Sequence, residues 1–157
     1  MKVDTGMNRL GVHIENANSV ISKIRKLKLG SKLGLMTHLS DAEDKNKSKN
    51  KIQMDKFKEL TINFDGDISF ANSAVIMDFS EYLNGFNWGN KGNLWVRPGI
   101  ALYGISPLKG ISAKDLDLRE VMDFKSKLIA IKHVSKGQSV GYNSTWVAKQ
   151  YTNIGTI

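Results

Sequence analysis

"GDISFANSAVIMDFSEYL", residues 66–83, passes from one kind of element to another within a few residues. Its first half reads as a strand that ends at Asn72 and Ser73, and residues 74–83 read as a helix. A strand that turns directly into a helix is the repeating unit of an α/β fold, and the pattern recurs on both sides. Upstream, Lys2, Val3 and Asp4 look like the end of a strand, with residues 5–9 as the loop after it. Residues 18–30 carry Val20, Ile21, Ile24 and Leu27 at helical spacing, with Gly30 as the expected C-cap. Residues 33–40, "LGLMTHLS", form a short buried-strand run, and "KIQMDKFKEL" (51–60) repeats the helical signature with Ile52, Phe57 and Leu60 inward. Downstream, "NLWVRPGI" (93–100) reads as another buried strand, with Leu94, Trp95, Val96, Ile100, Ala101 and Leu102 packed around a lone arginine, Arg97.

Strand, loop and helix in that order predict a parallel α/β arrangement, in which function gathers at the carboxyl ends of the strands. From about Val121 the texture changes to alternating residues with Gly137 and Gly141, as in antiparallel strands. The boundary is expected in residues 108–120, giving an α/β domain over residues 1–110 and the start of a mostly β domain over 111–157.

A chain of 157 residues with 41% hydrophobic and 24% charged residues has room for an ordinary globular core. Its net charge of +8 points toward polyanions, but much of the excess lies in one run, "DKNKSKNKIQMDKFKEL" (44–60). That run reads first as a solvated loop and helix face, with a nucleic-acid or membrane surface as the rival. Phe57 is its lone ring, so base stacking has no platform. With no cysteine, disulfides and thiolate metal sites are excluded, in keeping with a reducing cytoplasm. No stretch approaches the roughly 18 apolar residues of a membrane span, and no signal-peptide core is present. The expectation is a cytoplasmic protein without nucleic-acid or membrane partners.

If the strands are parallel, their carboxyl ends deliver Lys2, Asp4 and Arg9, then His38, then Asn72 and Ser73, then Arg97, Gly99 and Ile100. That set describes an anion pocket. Ser73 stands where strand becomes helix, so its hydroxyl and the free amides of the first turn can hold a phosphate. Gly99 and Ile100 offer unobstructed backbone N–H groups. Each residue has a plainer reading: Ser73 as a simple N-cap, His38 as a hydrogen-bonded loop histidine, Arg97 as a surface residue in a turn, Tyr142 as a half-buried strand aromatic. His38, Asp41, Glu43 and Asp44 are crowded but match no standard metal spacing, so no metal is expected. A Ser-His-Asp hydrolase is disfavoured because no Gly-x-Ser-x-Gly elbow occurs.

Taken in order, "KVDTGMNRLG" (2–11), "MTHLSDAED" (36–44), "FANSA" (70–74), "VRPGIALYGISP" (96–107) and "GQSVGYNSTW" (137–146) resemble consecutive signature blocks of bacterial alanine racemase. The resemblance implies the latter part of a (β/α)8 TIM-type barrel followed by the start of a mostly β domain. It implies pyridoxal 5'-phosphate as cofactor, a homodimer, and interconversion of L- and D-alanine through a cofactor aldimine, supplying D-alanine for peptidoglycan. By position, Ser73, Gly99 and Ile100 would hold the cofactor phosphate, with Asn72 beside them. Arg97 would face the pyridine nitrogen, and a guanidinium does not readily give up a proton, so the ring would stay largely unprotonated. Arg9 would reach the phenolate oxygen and the substrate carboxylate, and Lys2 would be the position that carries a carbamate and pairs with Arg9. Tyr142 would be the base for L-alanine, acting in the partner subunit's site and hydrogen-bonded to His38, which in turn meets Arg97.

The family's Schiff-base lysine lies in a block resembling A-V-V-K-A-N-A-Y-G-H-G, which does not occur in this sequence. The residues are therefore expected to be an internal segment, inactive by itself and with unpaired strand edges. A serine or broad-spectrum racemase, a pyridoxal-phosphate decarboxylase or small cofactor-binding barrel, a non-catalytic basic binding fragment and an inactive remnant are the alternatives.

Overall fold

The computed structural model describes residues 1–28, 32–84 and 92–157. Gly30, expected as a helix cap, lies outside the described residues. Two compact units divide the chain, Met1–Val121 and Met122–Ile157.

In the first unit, β1 (Val3–Asp4) pairs in parallel with β2 (Val12–His13), and β3 (Leu35–Met36) with β4 (Ile68–Ser69). Parallel bridges from Lys2 to Met36 and from Ile68 to Leu94 tie these pairs together. Helix α1 (Ile14–Lys26) follows β2, α2 (Ser48–Thr61) follows β3, and α3 (Ser73–Asp78) with α4 (Ser80–Asn84) follows β4. The expected α/β alternation is present, with one strand the sequence reading lacked: β2, which returns beside β1 and moves the start of α1 upstream to Ile14.

The core lies between the short strands and the helices, with Leu35, Ile68 and Phe70 from one side and Met54, Phe57 and Val75 from the other. Phe57 and Phe70 meet edge-on with centroids 6.4 Å apart. Full burial of such side chains contributes about 1.5–3 kcal/mol each, so this layer holds the strand ends in place.

Three packing expectations are corrected. Ile52 is 52% exposed, because α2 turns Asn50, Gln53, Met54, Phe57 and Thr61 inward. Polar residues take that face because the loops beneath it carry backbone groups that need partners. Asn50 Nδ2 donates to the carbonyls of Asp41 and Asp44 at 3.1 and 2.9 Å. Leu27 is 64% exposed, lying beyond the last turn of α1, whose inward residues are Ala17 and Ile21. The stretch at residues 93–100 forms only the bridge at Leu94, and Trp95, Val96, Ile100 and Leu102 are exposed while Ala101 is buried. Its backbone still runs along β4, with the Trp95 N–H on the Ile68 carbonyl (2.8 Å) and the Arg97 N–H on the Ala71 carbonyl (2.8 Å). A 3₁₀ turn, Gly99–Tyr103, then replaces the expected strand end. The helix read over residues 74–83 is also broken: Phe79 leaves helical geometry (φ −118°, ψ 47°) and its ring is buried.

The second unit is antiparallel, as its alternation predicts. β5 (Ala130–Val134) pairs with β8 (Thr152–Thr156), and β6 (Ser139–Val140) with β7 (Trp146–Val147). Val134 and Ala148 are its buried apolar residues, while Ile129 and Ile131 are exposed.

Candidate active site

The carboxyl ends of the strands in the first unit converge on one region, and each side chain there is held by a local device. After β1, Asp4 Oδ1 accepts the N–H groups of Gly6, Met7 and Asn8 at 2.9, 3.0 and 3.1 Å, folding the loop that carries Arg9. Burial alone would raise the Asp4 carboxyl, but these three donors and His13 outweigh it and hold the group below the ordinary carboxylate range. After β3 come Thr37 and His38, with Thr37 Oγ1 2.8 Å from Thr5 Oγ1. After β4, the Asn72 side chain caps α3 by accepting the Val75 N–H (3.1 Å), and Ser73 is the first residue of that helix.

Arg97 is half-buried and tied at three points. Its guanidinium donates to the Thr37 carbonyl at 2.8 Å, to Ser69 Oγ, and toward His38 Nδ1 at 3.3 Å. A guanidinium has donors only, so Nδ1 of His38 must accept and the ring proton resides on Nε2. Burial holds His38 below the ordinary histidine value, and the positive charges of Arg97, Arg9 and Lys2 push the same way. His38 is thus a neutral imidazole at neutral pH with its Nε2–H free of Arg97. Burial also lowers the pKa of Arg97, though a guanidinium so hydrogen-bonded remains protonated.

Ser73 Oγ donates to the Pro98 carbonyl at 2.6 Å and accepts the Ala101 N–H at 3.2 Å. The hydroxyl therefore ties α3 to the Gly99–Tyr103 turn. The N–H groups of Ser73, Ala74, Gly99 and Ile100 precede the first donors of their turns and have no acceptor among the described residues. A cavity of about 620 Å³ is lined by His38, Asn72, Ser73, Arg97, Gly99 and Ile100, together with Ala74, Met7 and Glu43. Free backbone donors at one part of the wall and a fixed guanidinium at another suit a ligand that joins a phosphate to a weakly basic ring nitrogen.

Six of the residues singled out from the sequence thus share one cavity. Arg9 is exposed and Lys2 half-buried, and both bear on the site through their charge at His38. Tyr142 belongs to the second unit, where it is 96% exposed in the turn Tyr142–Ser144 between β6 and β7. It is not a half-buried strand residue: Gly141, Asn143 and Ser144 all take positive φ, so the chain there is a tight turn. Thr37, Ser69 and Ala74 were not singled out. The visible signal for the first two was only their place at strand ends, and a backbone N–H such as that of Ala74 leaves no mark in residue type.

Among the described residues, no group of three or more histidine, cysteine, aspartate or glutamate side chains is arranged to hold a metal. The lysine run is largely paired with acids: Lys45 with Asp78, Lys47 with Asp41 and Glu43, Lys49 with Asp41, Lys51 with Asp55. No helix among the described residues is long and apolar enough to cross a membrane.

The family model for the alanine racemase N-terminal domain matches residues 1–107, and that for the alanine racemase C-terminal domain matches residues 121–157. An alanine racemase from Aeromonas hydrophila is 36% identical over this entire chain, which spans 42% of that relative's length. The crystal structure of the biosynthetic alanine racemase from Pseudomonas aeruginosa superposes with a TM-score of 0.72 at 32% identity, covering 99% of this chain and 41% of that one. The alanine racemase from Bartonella henselae, solved with covalently bound pyridoxal phosphate, superposes with a TM-score of 0.68 at 25% identity over 99% of this chain and 40% of that one. These likenesses bear out the expected fold class, a stretch of α/β barrel followed by the start of a β-rich domain.

Proposed function

The chain belongs to the alanine racemase family, and from that premise we propose that its first unit grips pyridoxal 5'-phosphate for the racemisation of alanine. The observation that carries the reading is Arg97, fixed by Ser69, Thr37 and His38 on the wall of a cavity that is also lined by Ser73, Ala74, Gly99 and Ile100. The donor set fits: the free amides would take the phosphate, with Asn72 and the Ser73 hydroxyl shaping their turns, and Arg97 would take the pyridine nitrogen. When bound, the cofactor supplies a conjugated electron-withdrawing ring that acidifies the α-hydrogen of an attached amino acid.

The chain's own residues then have distinct tasks. Arg97 donates a hydrogen bond without giving up its proton, which keeps the opposing ring nitrogen unprotonated and the ring a weaker electron sink. Arg9 supplies the positive charge for a substrate carboxylate, and Lys2, which bears on His38 as a cation when unmodified, would orient Arg9 in the loaded enzyme once converted to an anionic carbamate. Tyr142 is the proton acceptor for L-alanine in the partner subunit's site of a homodimer. An ordinary tyrosine ionises near pH 10, so a phenolate there needs a donor, and the Nε2–H of a neutral His38 is that donor. The cellular role consistent with this chemistry is cytoplasmic supply of D-alanine for peptidoglycan.

Binding of pyridoxine 5'-phosphate tests the reading, since it lacks the aldehyde and cannot react with surface lysines. Arg97→Met removes a charge-assisted contact of about 1.5–3 kcal/mol, so affinity should fall roughly 10- to 100-fold. Binding by wild type that is unchanged in Arg97→Met, or no binding by wild type, overturns the reading.

A further inference from the structure

Gln53 is fully buried on the inward face of α2, yet it belongs to none of the signature blocks. Three of its four hydrogen-bonding positions are used, since the one proton of the nearby Ser40 hydroxyl goes to Asp41 Oδ2 at 2.5 Å. Nε2 donates to the His38 carbonyl at 3.1 Å and to Thr5 Oγ1 at 3.2 Å. Oε1 accepts the Ser40 N–H at 3.0 Å and lies 3.1 Å from the Ser40 hydroxyl. Thr5 Oγ1 meets Thr37 Oγ1, and the Thr37 carbonyl is the one that receives Arg97. One carboxamide therefore spans the loop after β1, the segment after β3 and helix α2, and holds the two peptides that follow His38, on either side of Leu39.

We propose that Gln53 is the positioning residue for His38, its carboxamide fixing the His38 peptide and, through Thr5 and Thr37, the backbone oxygen that braces Arg97. The proposal rests on the reading of His38 and Arg97 as site residues but makes its own claim about the unloaded protein. Gln53 touches neither cavity nor ligand; it acts by denying the imidazole the freedom to swing from Arg97 into water. The charged groups facing His38 are Arg97, Arg9 and Lys2, with Glu43 on the same cavity wall. Burial and the three cations keep the imidazole neutral, so release of the ring raises its pKa.

The test follows the three histidine ring signals, those of His13, His38 and His133, by NMR through a pH titration of the full chain with no cofactor present. In Gln53→Met, of similar volume and uncharged, the His38 midpoint should rise toward the ordinary histidine value while the other two ring signals titrate as in wild type. Gln53→Asn keeps a carboxamide but is one methylene too short to span from Ser40 to His38, and should shift His38 the same way by less. A folded variant of either kind in which His38 titrates as in wild type overturns the proposal. Loss of the folded spectrum in both variants assigns Gln53 to the fold alone and overturns it as well. Pyridoxine 5'-phosphate binding separates the two claims: a His38 shift without cofactor binding by wild type sinks the functional reading only, and binding without a His38 shift sinks this proposal only.

Discussion

At the scale of single residues the site works by forcing choices of protonation. Arg97 can only donate, so His38 Nδ1 can only accept, and burial with three nearby cations keeps the imidazole neutral. This has a cost in acid. Because the folded-state pKa is depressed, the unfolded chain takes up a proton that the folded chain resists. The contribution is fully present above the unfolded histidine value of about 6.5 and is lost as pH falls through the folded one. Urea midpoints measured from pH 8 to pH 5 should therefore drop more steeply for wild type than for His38→Gln, which has no such proton to take up. Parallel profiles would contradict a buried, cation-flanked imidazole.

At the scale of elements, short strands serve as mounts and the helices decide what faces inward. Helix α2 presents Gln53 and Met54 to the interior and Ile52 to solvent. Ile52→Ser should therefore change stability by no more than about 0.5 kcal/mol, whereas Met54→Ala should cost about 2–5 kcal/mol. Chemical denaturation of the two variants checks the phase of the helix. The return of β2 beside β1 depends on Gly11, at φ +125°, where a Cβ would stand 3.0 Å from the Asp4 nitrogen and 3.1 Å from the Val3 carbonyl carbon. Gly11→Ala combines a backbone conformation costing about 1–3 kcal/mol with contact against main chain that cannot yield. Its unfolding midpoint should fall accordingly, and the Arg9 loop should lose amide protection with it.

At the scale of the molecule the two units differ in what holds them. The first has a continuous core through Leu35, Met54, Phe57, Ile68 and Phe70, while in the second only Val134 and Ala148 are buried among the apolar residues. Hydrogen exchange should therefore be fast in β5 and β8 and slow in α2 and β4, because opening free energy follows local burial. Equal protection in both would show that the second unit has support beyond its own side chains. The alternation of strands and helices was legible in residue spacing apart from β2 and the single bridge at Leu94, since strand and helix periods are local properties of the chain, and so was the change to antiparallel texture after Val121. That Asn72, Ser73, Gly99, Ile100, His38 and Arg97 line one cavity was legible because each stands at or just past a strand end. Which face of α2 is buried, the break at Phe79 and the outward Trp95 were decided only by tertiary structure. Each depends on what backbone group or side chain lies opposite, and that neighbour is distant in sequence. Gln53 is the clearest case: its carboxamide has meaning only where Thr5, His38 and Ser40 are brought within about 3 Å of it, an encounter that no local pattern encodes.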